Sequence, residues 1–309
     1  MLKPVIENIE KVIIGKTKEI NLVLAAFLAG GHVLLEDVPG TGKTVLAKAL
    51  AKSFEDFSFS RVQFTPDLLP SELTGINFYS PKTGEFTFRK GSLFANIVLA
   101  DEINRATPRT QSGLLESMEE KQITVDGTTY PLNTPYFVIA TQNPVETMGT
   151  FPLPEAQLDR FIVQLNLGYP QKDESVNILK NGITSTPLED LKPVCTLADF
   201  TNAQKAVRDI FIHDDVYKYI VDLAEATRNH SSVSLGVSTR GALALAKIGQ
   251  AVSYLKGEEF VTPQTIIGLV PYVFGHRIIQ KGGLKSRIND ITEEILSEVK
   301  VPTETWKNK

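Results

Sequence analysis

A short apolar segment runs directly into a glycine-bracketed loop near the start of this chain of 309 residues. Residues 32–44 read HVLLEDVPGTGKT, and the following VLAKALAK has the periodicity of a helix. Glycine lets such a loop turn its backbone N–H groups inward, where a Cβ would obstruct a bound anion. The order of strand, loop and helix therefore predicts that phosphate binds at the N-terminus of a helix.

The loop supplies two side chains with expected roles in binding a nucleoside triphosphate. Lys43 provides a positive charge for the β- and γ-phosphates, and the Thr44 hydroxyl is a ligand for Mg²⁺. Asp37 stands where the pattern G-x-x-x-x-G-K-[ST] has its first glycine, which is the one departure from that pattern. The predicted nucleotide-binding residues of the loop are Pro39, Gly40, Thr41, Gly42, Lys43, Thr44 and Val45.

The composition is typical of a soluble globular protein and argues against several other classes. The net charge is −4 and the pI is about 5.7, so the chain lacks the strong basic field of a duplex-binding protein. Cys195 is the single cysteine, which excludes an internal disulfide. The N-terminus carries charges and a proline where a signal peptide is apolar, and its longest apolar run, residues 22–29, is too short to span a bilayer. We therefore expect a cytoplasmic protein with no membrane insertion.

Strand-like and helix-like segments alternate through the first half of the chain. After the segment that precedes the loop, the strand-like segments are 57–64, 97–100, 136–141 and 162–165. This order predicts an α/β fold in which a parallel five-stranded sheet lies between helices. After Gly168-Tyr169-Pro170 the periodicity is helical, and we find no strand pattern. We therefore expect a nucleotide-binding α/β domain in residues 1–169 and an all-helical lid domain in residues 170–309.

Two further segments have the pattern of β-hairpins. Residues 76–89 form two β-rich arms around Pro-Lys-Thr-Gly, and residues 121–132 turn at Asp126-Gly127. Between them, Thr107 and Pro108 predict the start of a helix that continues through Glu120.

Polar residues follow two of the strand-like segments, where hydrolysis of a bound nucleotide needs them. Asp101 and Glu102 follow segment 97–100. Because strand ends of a parallel sheet lie beside the phosphate loop, we expect Asp101 to bind Mg²⁺ through water and Glu102 to orient and deprotonate the attacking water. Asn143 follows the next segment, where its amide can hold the same water or contact the γ-phosphate; an ordinary Asn-Pro turn is the alternative.

Two arginines are candidates for stabilising charge on the transferred phosphoryl group. Arg160 lies in LPEAQLDRF, just before segment 162–165, and Arg240 opens the helix-like segment in VSTRGALALA. Their local sequence is equally typical of solvated arginines on helices.

These motifs together resemble the AAA+ ATPases of the MoxR type, which belong to the branch with an insert in helix 2. The resembling segments, in chain order, are DVPGTGKT, FTPDLLPSELTG, LADEINRATPRTQSGLLESMEE, ATQNP, LPEAQLDRF and GVSTRGALALA. They extend over nearly the whole chain, and the second and third are specific to this branch. Asp37 also resembles the usual residue of the family at its position. The resemblance implies a AAA+ core followed by a helical lid, with ATP and Mg²⁺ as cofactors.

The resemblance also implies a role for each arginine. Arg160 corresponds to the arginine finger, which reaches the γ-phosphate of the neighbouring subunit, although Arg105 and Arg109 compete for that role. Arg240 corresponds to the second sensor, which the lid carries onto its own subunit's nucleotide. This chain has Ser-Thr-Arg there, where the family usually has Ser-Pro-Arg.

Three other parts of the chain correspond to family features. Ile14-Gly15 matches the segment that contacts adenine. The hairpin at 76–89 matches the insert in helix 2, and the hairpin at 121–132 matches the one before the first sensor.

Because a finger donated in trans makes each site depend on a second copy, the resemblance implies a homo-hexameric ring. It also implies a chaperone-like role, in which the ATPase remodels or activates a partner protein, often one with a von Willebrand factor A domain. A nucleic-acid motor is an alternative, since related branches with the same insert unwind DNA, but the acidic balance argues against a stable nucleic-acid partner. A non-hydrolysing nucleotide switch is a further alternative, and the presence of Glu102 and Arg160 argues against it.

Overall fold

The computed structural model describes residues 2–82, 84–144, 149–184, 187–282 and 288–302. Its helices are α1 (Lys3–Glu10), α2 (Thr17–Leu28), α3 (Lys43–Lys52), α4 (Pro70–Thr74), α5 (Pro108–Glu120), α6 (Glu155–Leu158), α7 (Lys172–Thr184), α8 (Leu197–Arg208), α9 (Asp214–Asn229), α10 (Thr239–Lys256), α11 (Pro263–Phe274) and α12 (Ile288–Glu298). Its strands are β1 (Val33–Glu36), β2 (Phe59–Gln63), β3 (Gly75–Ser80), β4 (Glu85–Lys90), β5 (Ile97–Asp101), β6 (Gln122–Val125), β7 (Thr128–Pro131), β8 (Phe137–Gln142), β9 (Val163–Leu165), β10 (Val233–Leu235) and β11 (Ile279–Gln280).

Five parallel strands form the central sheet, in the order β2-β5-β8-β1-β9. Every residue of β5 is buried, as are the first five residues of β8. Strands that are apolar without alternation occur where helices cover both faces of a parallel sheet. The predicted α/β fold is confirmed, and the strands lie within two residues of their predicted positions.

The topology brings the polar strand ends together. β5 and β8 pair in parallel, with Ala100 beside Ala140, and β8 pairs with β1, with Thr141 beside Leu35. The residues that follow these three strands therefore lie at one edge of the sheet. The phosphate loop follows β1 at this edge, and α3 begins immediately after the loop.

Alternate residues of the strands contact two different hydrophobic cores. Leu34 and Val98 belong to the core that includes α5 and the hairpin β6–β7. Leu35 and Leu99 point to the other face, where one continuous core extends from α1 and α2 into the lid. At the junction, the ring of Phe27 in α2 lies 4.2 Å, centroid to centroid, from the ring of Phe200 in α8.

The lid is helical, as predicted, with one small addition. In the described part of the lid, β10 and β11 pair antiparallel, with Val233 beside Gln280 and Leu235 beside Ile279. These strands have three and two residues, and their register shifts between the two pairs, so no alternating pattern of useful length exists in the sequence. No helix among the described residues is long and apolar enough to cross a membrane.

Both predicted hairpins are confirmed, and they contact each other. β3 pairs with β4, and β6 pairs with β7 across a turn at Asp126 (φ 49°) and Gly127 (φ 80°). Positive φ at both central residues is the geometry that an Asp-Gly turn favours. The Asn77 amide donates to the Asp126 carboxylate (2.8 Å), which ties the tip of one hairpin to the other.

Candidate functional site

The loop between β1 and α3 has the backbone geometry of an anion cradle. Gly40 and Gly42 have φ values of 87° and 91°, in the left-handed region that side chains disfavour. Lys43 is the first residue of α3, and its ammonium group donates to the carbonyl oxygens of Asp37 (2.8 Å) and Val38 (2.9 Å). The lysine charge is therefore held at the loop itself, beside a helix N-terminus that favours negative charge.

A cavity of about 420 Å³ opens between this loop and the ends of β5 and β8. Nine of the predicted site residues line it: Pro39, Gly40, Gly42, Lys43, Thr44, Val45, Asp101, Glu102 and Asn143. Thr41 belongs to the same loop, where its hydroxyl donates to the Val38 carbonyl (3.3 Å).

The Asp101 carboxylate is bound on both of its oxygens. Oδ2 accepts from the Arg61 guanidinium, through Nη2 at 2.8 Å and Nε at 3.2 Å. Oδ1 accepts from the Thr141 hydroxyl at 2.7 Å. Two fixed partners orient this carboxylate at the end of β5, where a cation that accompanies a phosphate would approach it.

Glu102 has an unusual backbone conformation that turns the chain away from the strand. Its φ of 57° lies in the left-handed region, and its N–H donates to the Thr141 hydroxyl at 2.8 Å. Its carboxylate accepts from the Gln63 amide at 2.7 Å and pairs with the Arg105 guanidinium at 3.2 Å. Thr141 thus links Asp101 to Glu102, and Arg105 lies at the acidic pair of the same chain.

Four residues that line this cavity were not predicted as site residues from the sequence: Arg61, Gln63, Thr141 and Gln142. Gln63 ends β2 and pairs in register with Asp101, and Arg61 lies two residues earlier on the same side of that strand. The sequence does show polar residues at the end of β2. They point to the site only when the strand order is known, because that order places β2 next to Asp101.

The donor set fits a magnesium–nucleotide complex better than a metal held by protein alone. Among the described residues, no group of three or more His, Cys, Asp or Glu side chains could hold a metal ion. Mg²⁺ typically takes one or two protein oxygens and completes its shell with phosphate oxygens and water. The Thr44 hydroxyl and the Asp101 carboxylate are such oxygens, and both line the cavity.

The two predicted arginines lie together, but not in this cavity. Arg160 and Arg240 line a separate cavity of about 270 Å³ at the junction of the α/β domain and the lid. Arg160 Nη1 lies 2.9 Å and Arg240 Nη2 lies 2.6 Å from the two carboxylate oxygens of Glu119, near the end of α5. The structure therefore places both arginines on one carboxylate that the sequence did not single out.

The side chain of Asp37 connects the phosphate loop to the segment that leads into the lid. The carboxylate is buried and accepts from the backbone N–H groups of Leu167 (2.5 Å) and Gly168 (3.0 Å). A glycine at this position, as in the general phosphate-loop pattern, could not make these bonds. The departure from the pattern thus has a structural reason.

The residue before the predicted pair Ile14-Gly15 lies close to the phosphate loop. A Cβ on Gly42 would lie 3.7 Å from the side chain of Ile13, the residue before the predicted pair. Gly15 has a φ of 75° and packs closely against Glu174 of α7. A Cβ placed on Gly15 would lie 1.9 Å from a carboxylate oxygen of Glu174. The Glu174 side chain could move aside, so it is the positive φ that favours glycine at this position.

Comparison with known proteins agrees with the motifs and the fold. Residues 32–163 match the model of the ATPase family associated with various cellular activities (AAA), and residues 225–298 match that of the AAA lid domain. The uncharacterized protein YeaC of Bacillus subtilis is 49% identical over 307 residues, covering 98% of this chain and 96% of YeaC.

Two further similarities extend over most of the chain. The chaperone MoxR1 of Mycobacterium tuberculosis is 36% identical over 288 residues, covering 90% of this chain and 75% of MoxR1. The crystal structure of a provisionally assigned ATPase from Cytophaga hutchinsonii superimposes with a TM-score of 0.90 at 37% identity, covering 98% of this chain and 95% of that one. The five-stranded AAA fold, the lid and these relatives show that the chain belongs to the MoxR-type AAA ATPases.

Proposed function

We propose that this chain hydrolyses ATP with Mg²⁺ in a homo-hexameric ring and uses the reaction to remodel or activate a partner protein. In each copy Lys43 contacts the β- and γ-phosphates, and Thr44 and Asp101 hold Mg²⁺, Asp101 through water. Glu102 orients and deprotonates the attacking water, and Asn143 holds that water or the γ-phosphate. Ile14-Gly15 contacts the adenine.

One observation carries the ring in this proposal. The phosphate loop and the acidic pair share one cavity, whereas Arg160 and Arg240 line another and are paired with Glu119. The loop cavity already holds Lys43, and Arg61, whose guanidinium is bound to Asp101. A second copy can supply a further guanidinium for the charge that develops on the transferred phosphoryl group. A head-to-tail contact between such copies forms a ring when the rotation between neighbours closes.

The same geometry favours a different role for Arg240 than the one the resemblance implies. Arg240 shares Glu119 with Arg160, so the two guanidinium groups face the same side of the chain. We therefore assign Arg240 to the neighbour's nucleotide, together with Arg160, rather than to its own. Arg105 is a weaker candidate for the finger because it pairs with Glu102 of its own subunit.

Complementation between two inactive variants tests the shared site. Lys43→Ala subunits should lose ATP binding and hydrolysis, and Arg160→Ala subunits should bind ATP normally but hydrolyse it slowly, since a trans arginine typically contributes about 10³–10⁵ in rate. Mixed rings should regain activity, because some interfaces then combine an intact phosphate loop in one subunit with an intact Arg160 in its neighbour. No recovery in mixtures that native mass spectrometry shows to share rings would refute the trans role.

Partner binding needs a separate test. Tyr79 and Phe86 of the β3–β4 hairpin are 55% and 74% exposed, and exposed apolar groups of this kind support contact with another protein. We expect a Glu102→Gln ring to retain a von Willebrand factor A-domain protein from native lysate in the presence of ATP. Stimulation of ATP hydrolysis by single-stranded DNA would favour the nucleic-acid motor instead, and binding without hydrolysis would favour the switch.

A further inference from the structure

We propose that Glu119 is a positioning residue that holds Arg160 and Arg240 as one unit, ready to enter the nucleotide site of a neighbouring copy. The inference rests on the proposed function, because it requires these arginines to act in trans. It adds a residue that itself touches no nucleotide but determines where the two cations lie.

Each oxygen of the Glu119 carboxylate serves a different arginine. Oε2 lies 2.9 Å from Arg160 Nη1, and Oε1 lies 2.6 Å from Arg240 Nη2. Arg160 Nη1 also donates to the Leu115 carbonyl oxygen at 2.6 Å, one turn earlier in α5. Two neighbouring guanidinium groups repel each other, and a carboxylate between them offsets this repulsion. Glu119 therefore fixes both the separation and the direction of the two positive charges.

A second carboxylate holds the backbone on which Arg160 is carried. Asp159 accepts from the Ser238 hydroxyl at 3.0 Å and from Arg277 Nε at 2.6 Å. Ser238 caps α10, the helix that begins with Thr239 and carries Arg240 in its first turn. Asp159 therefore joins the segment before β9 to the lid, and Glu119 joins the side chains that project from these two elements.

The exposure of these three side chains indicates that their pairing orients the two arginines more than it stabilises the fold. The side chains of Arg160, Glu119 and Arg240 are 29%, 37% and 50% exposed. Ion pairs with this exposure contribute little to the free energy of unfolding. They are also open to exchange: a phosphate group offers more negative charge and more acceptor oxygens than one carboxylate, so it can attract both guanidinium groups at once.

The substitution Glu119→Gln removes the charge of the side chain and keeps its shape. In Glu119→Gln one oxygen becomes an NH₂ group, which cannot accept a hydrogen bond, so one of the two arginines loses its partner. Glu120→Gln is the matched control. Glu120 is the next residue in α5 and is exposed, and in the described part of the chain no ion pair involves it.

Mixed rings show which of the two neighbouring subunits needs Glu119 for ATP hydrolysis at their interface. The reference mixture contains Lys43→Ala subunits, which donate arginines, and Arg160→Ala subunits, which bind ATP. We expect Glu119→Gln on the Lys43→Ala donor to reduce the recovered ATPase activity roughly tenfold or more, since small misplacements of a catalytic group can cost up to about 10²-fold. Glu119→Gln on the Arg160→Ala acceptor, and Glu120→Gln on the donor, should leave the recovered activity within twofold.

The outcomes separate this inference from the proposed function. Equal losses with Glu119→Gln on donor and acceptor would show a structural role and overturn the inference, as would full recovery with the donor variant. Failure of the reference mixture itself, in rings shown to be mixed, would overturn the trans role of Arg160 and the inference with it. ATP affinity of the Arg160→Ala, Glu119→Gln subunit, measured by calorimetry, should match that of Arg160→Ala alone.

Discussion

The Glu102 carboxylate differs from an amide in one property that the proposed reaction needs, its ability to take a proton. Glu102→Gln keeps the size of the side chain and the acceptor oxygen for the Gln63 amide, which lies 2.7 Å away. We expect ATP to bind normally and hydrolysis to slow by about 10²–10⁴, the usual contribution of a general base. Calorimetric titration and single-turnover hydrolysis measure the two effects separately; hydrolysis at the wild-type rate would exclude Glu102 as the base.

His32 makes stability depend on pH. Burial lowers its pKa from 6.5 to about 4, and Nδ1 accepts from the Val138 N–H (3.0 Å) while Nε2 contacts the Met118 carbonyl (3.0 Å). Because the unfolded chain binds a proton below pH 6.5 and the folded chain does not, the contribution of His32 is complete above pH 6.5 and is lost as the pH falls toward 4. We expect a loss of about 2 kcal/mol between pH 7 and pH 5 from this residue alone.

Urea unfolding at the two pH values measures this contribution when wild type is compared with His32→Asn. The asparagine oxygen can replace Nδ1 as the acceptor for Val138, but it does not titrate in this range. The variant should therefore show a smaller fall in the free energy of unfolding between pH 7 and pH 5. An identical fall in both proteins would show that other groups account for the whole pH dependence.

The positions of some site residues could be predicted from the sequence, and those of others could not. The positions of Lys43 and Thr44 were predictable because their neighbours in the sequence determine the loop, and those of Asp101 and Glu102 because a strand precedes them. Glu119 was not, because its pairing with Arg160 and Arg240 depends on packing between α5, the segment before β9 and the lid. Such pairings leave no local pattern in one sequence.

At the scale of elements, the connection between β9 and α7 depends on a side chain of the phosphate loop. The Asp37 carboxylate satisfies the backbone N–H groups of Leu167 and Gly168. We expect Asp37→Ala to leave these groups without a protein acceptor and to speed hydrogen exchange of a peptide covering 166–170. Asp37→Asn, which retains one acceptor oxygen, should have a smaller effect. Unchanged exchange in the alanine variant would show that the loop does not hold this connection.

The elements themselves were predictable where caps and periodicity agree. α5 begins at Pro108 after Thr107, as predicted, and α10 ends at Lys256 before Gly257, whose φ of 79° suits glycine. The pair β10–β11 was missed because its pairing joins residues far apart in the sequence through strands of two and three residues. Local rules fail where long-range pairing alone stabilises an element.

At the scale of the whole molecule, one hydrophobic core spans the α/β domain and the lid. Phe200 of α8 is fully buried and contacts three phenylalanine rings of the α/β domain, those of Phe27, Phe54 and Phe57. Because neither part buries its apolar face without the other, we expect a single cooperative unfolding transition by calorimetry.

Phe200→Ala tests this coupling. The substitution should destabilise by about 3–5 kcal/mol, as is usual for a buried phenylalanine, and should lower the one transition as a whole. Leu197→Ala, in the same helix at a side chain that is 46% exposed, should have a much smaller effect. If the lid formed an independent unit, Phe200→Ala would instead split the transition, and hydrogen exchange would rise in α8 and α10 while β5 and β8 stayed protected. A parallel loss of protection in these helices and strands would show that the lid and the sheet are coupled through this core. Movement of the lid during the proposed ATP cycle would then have to leave the core intact.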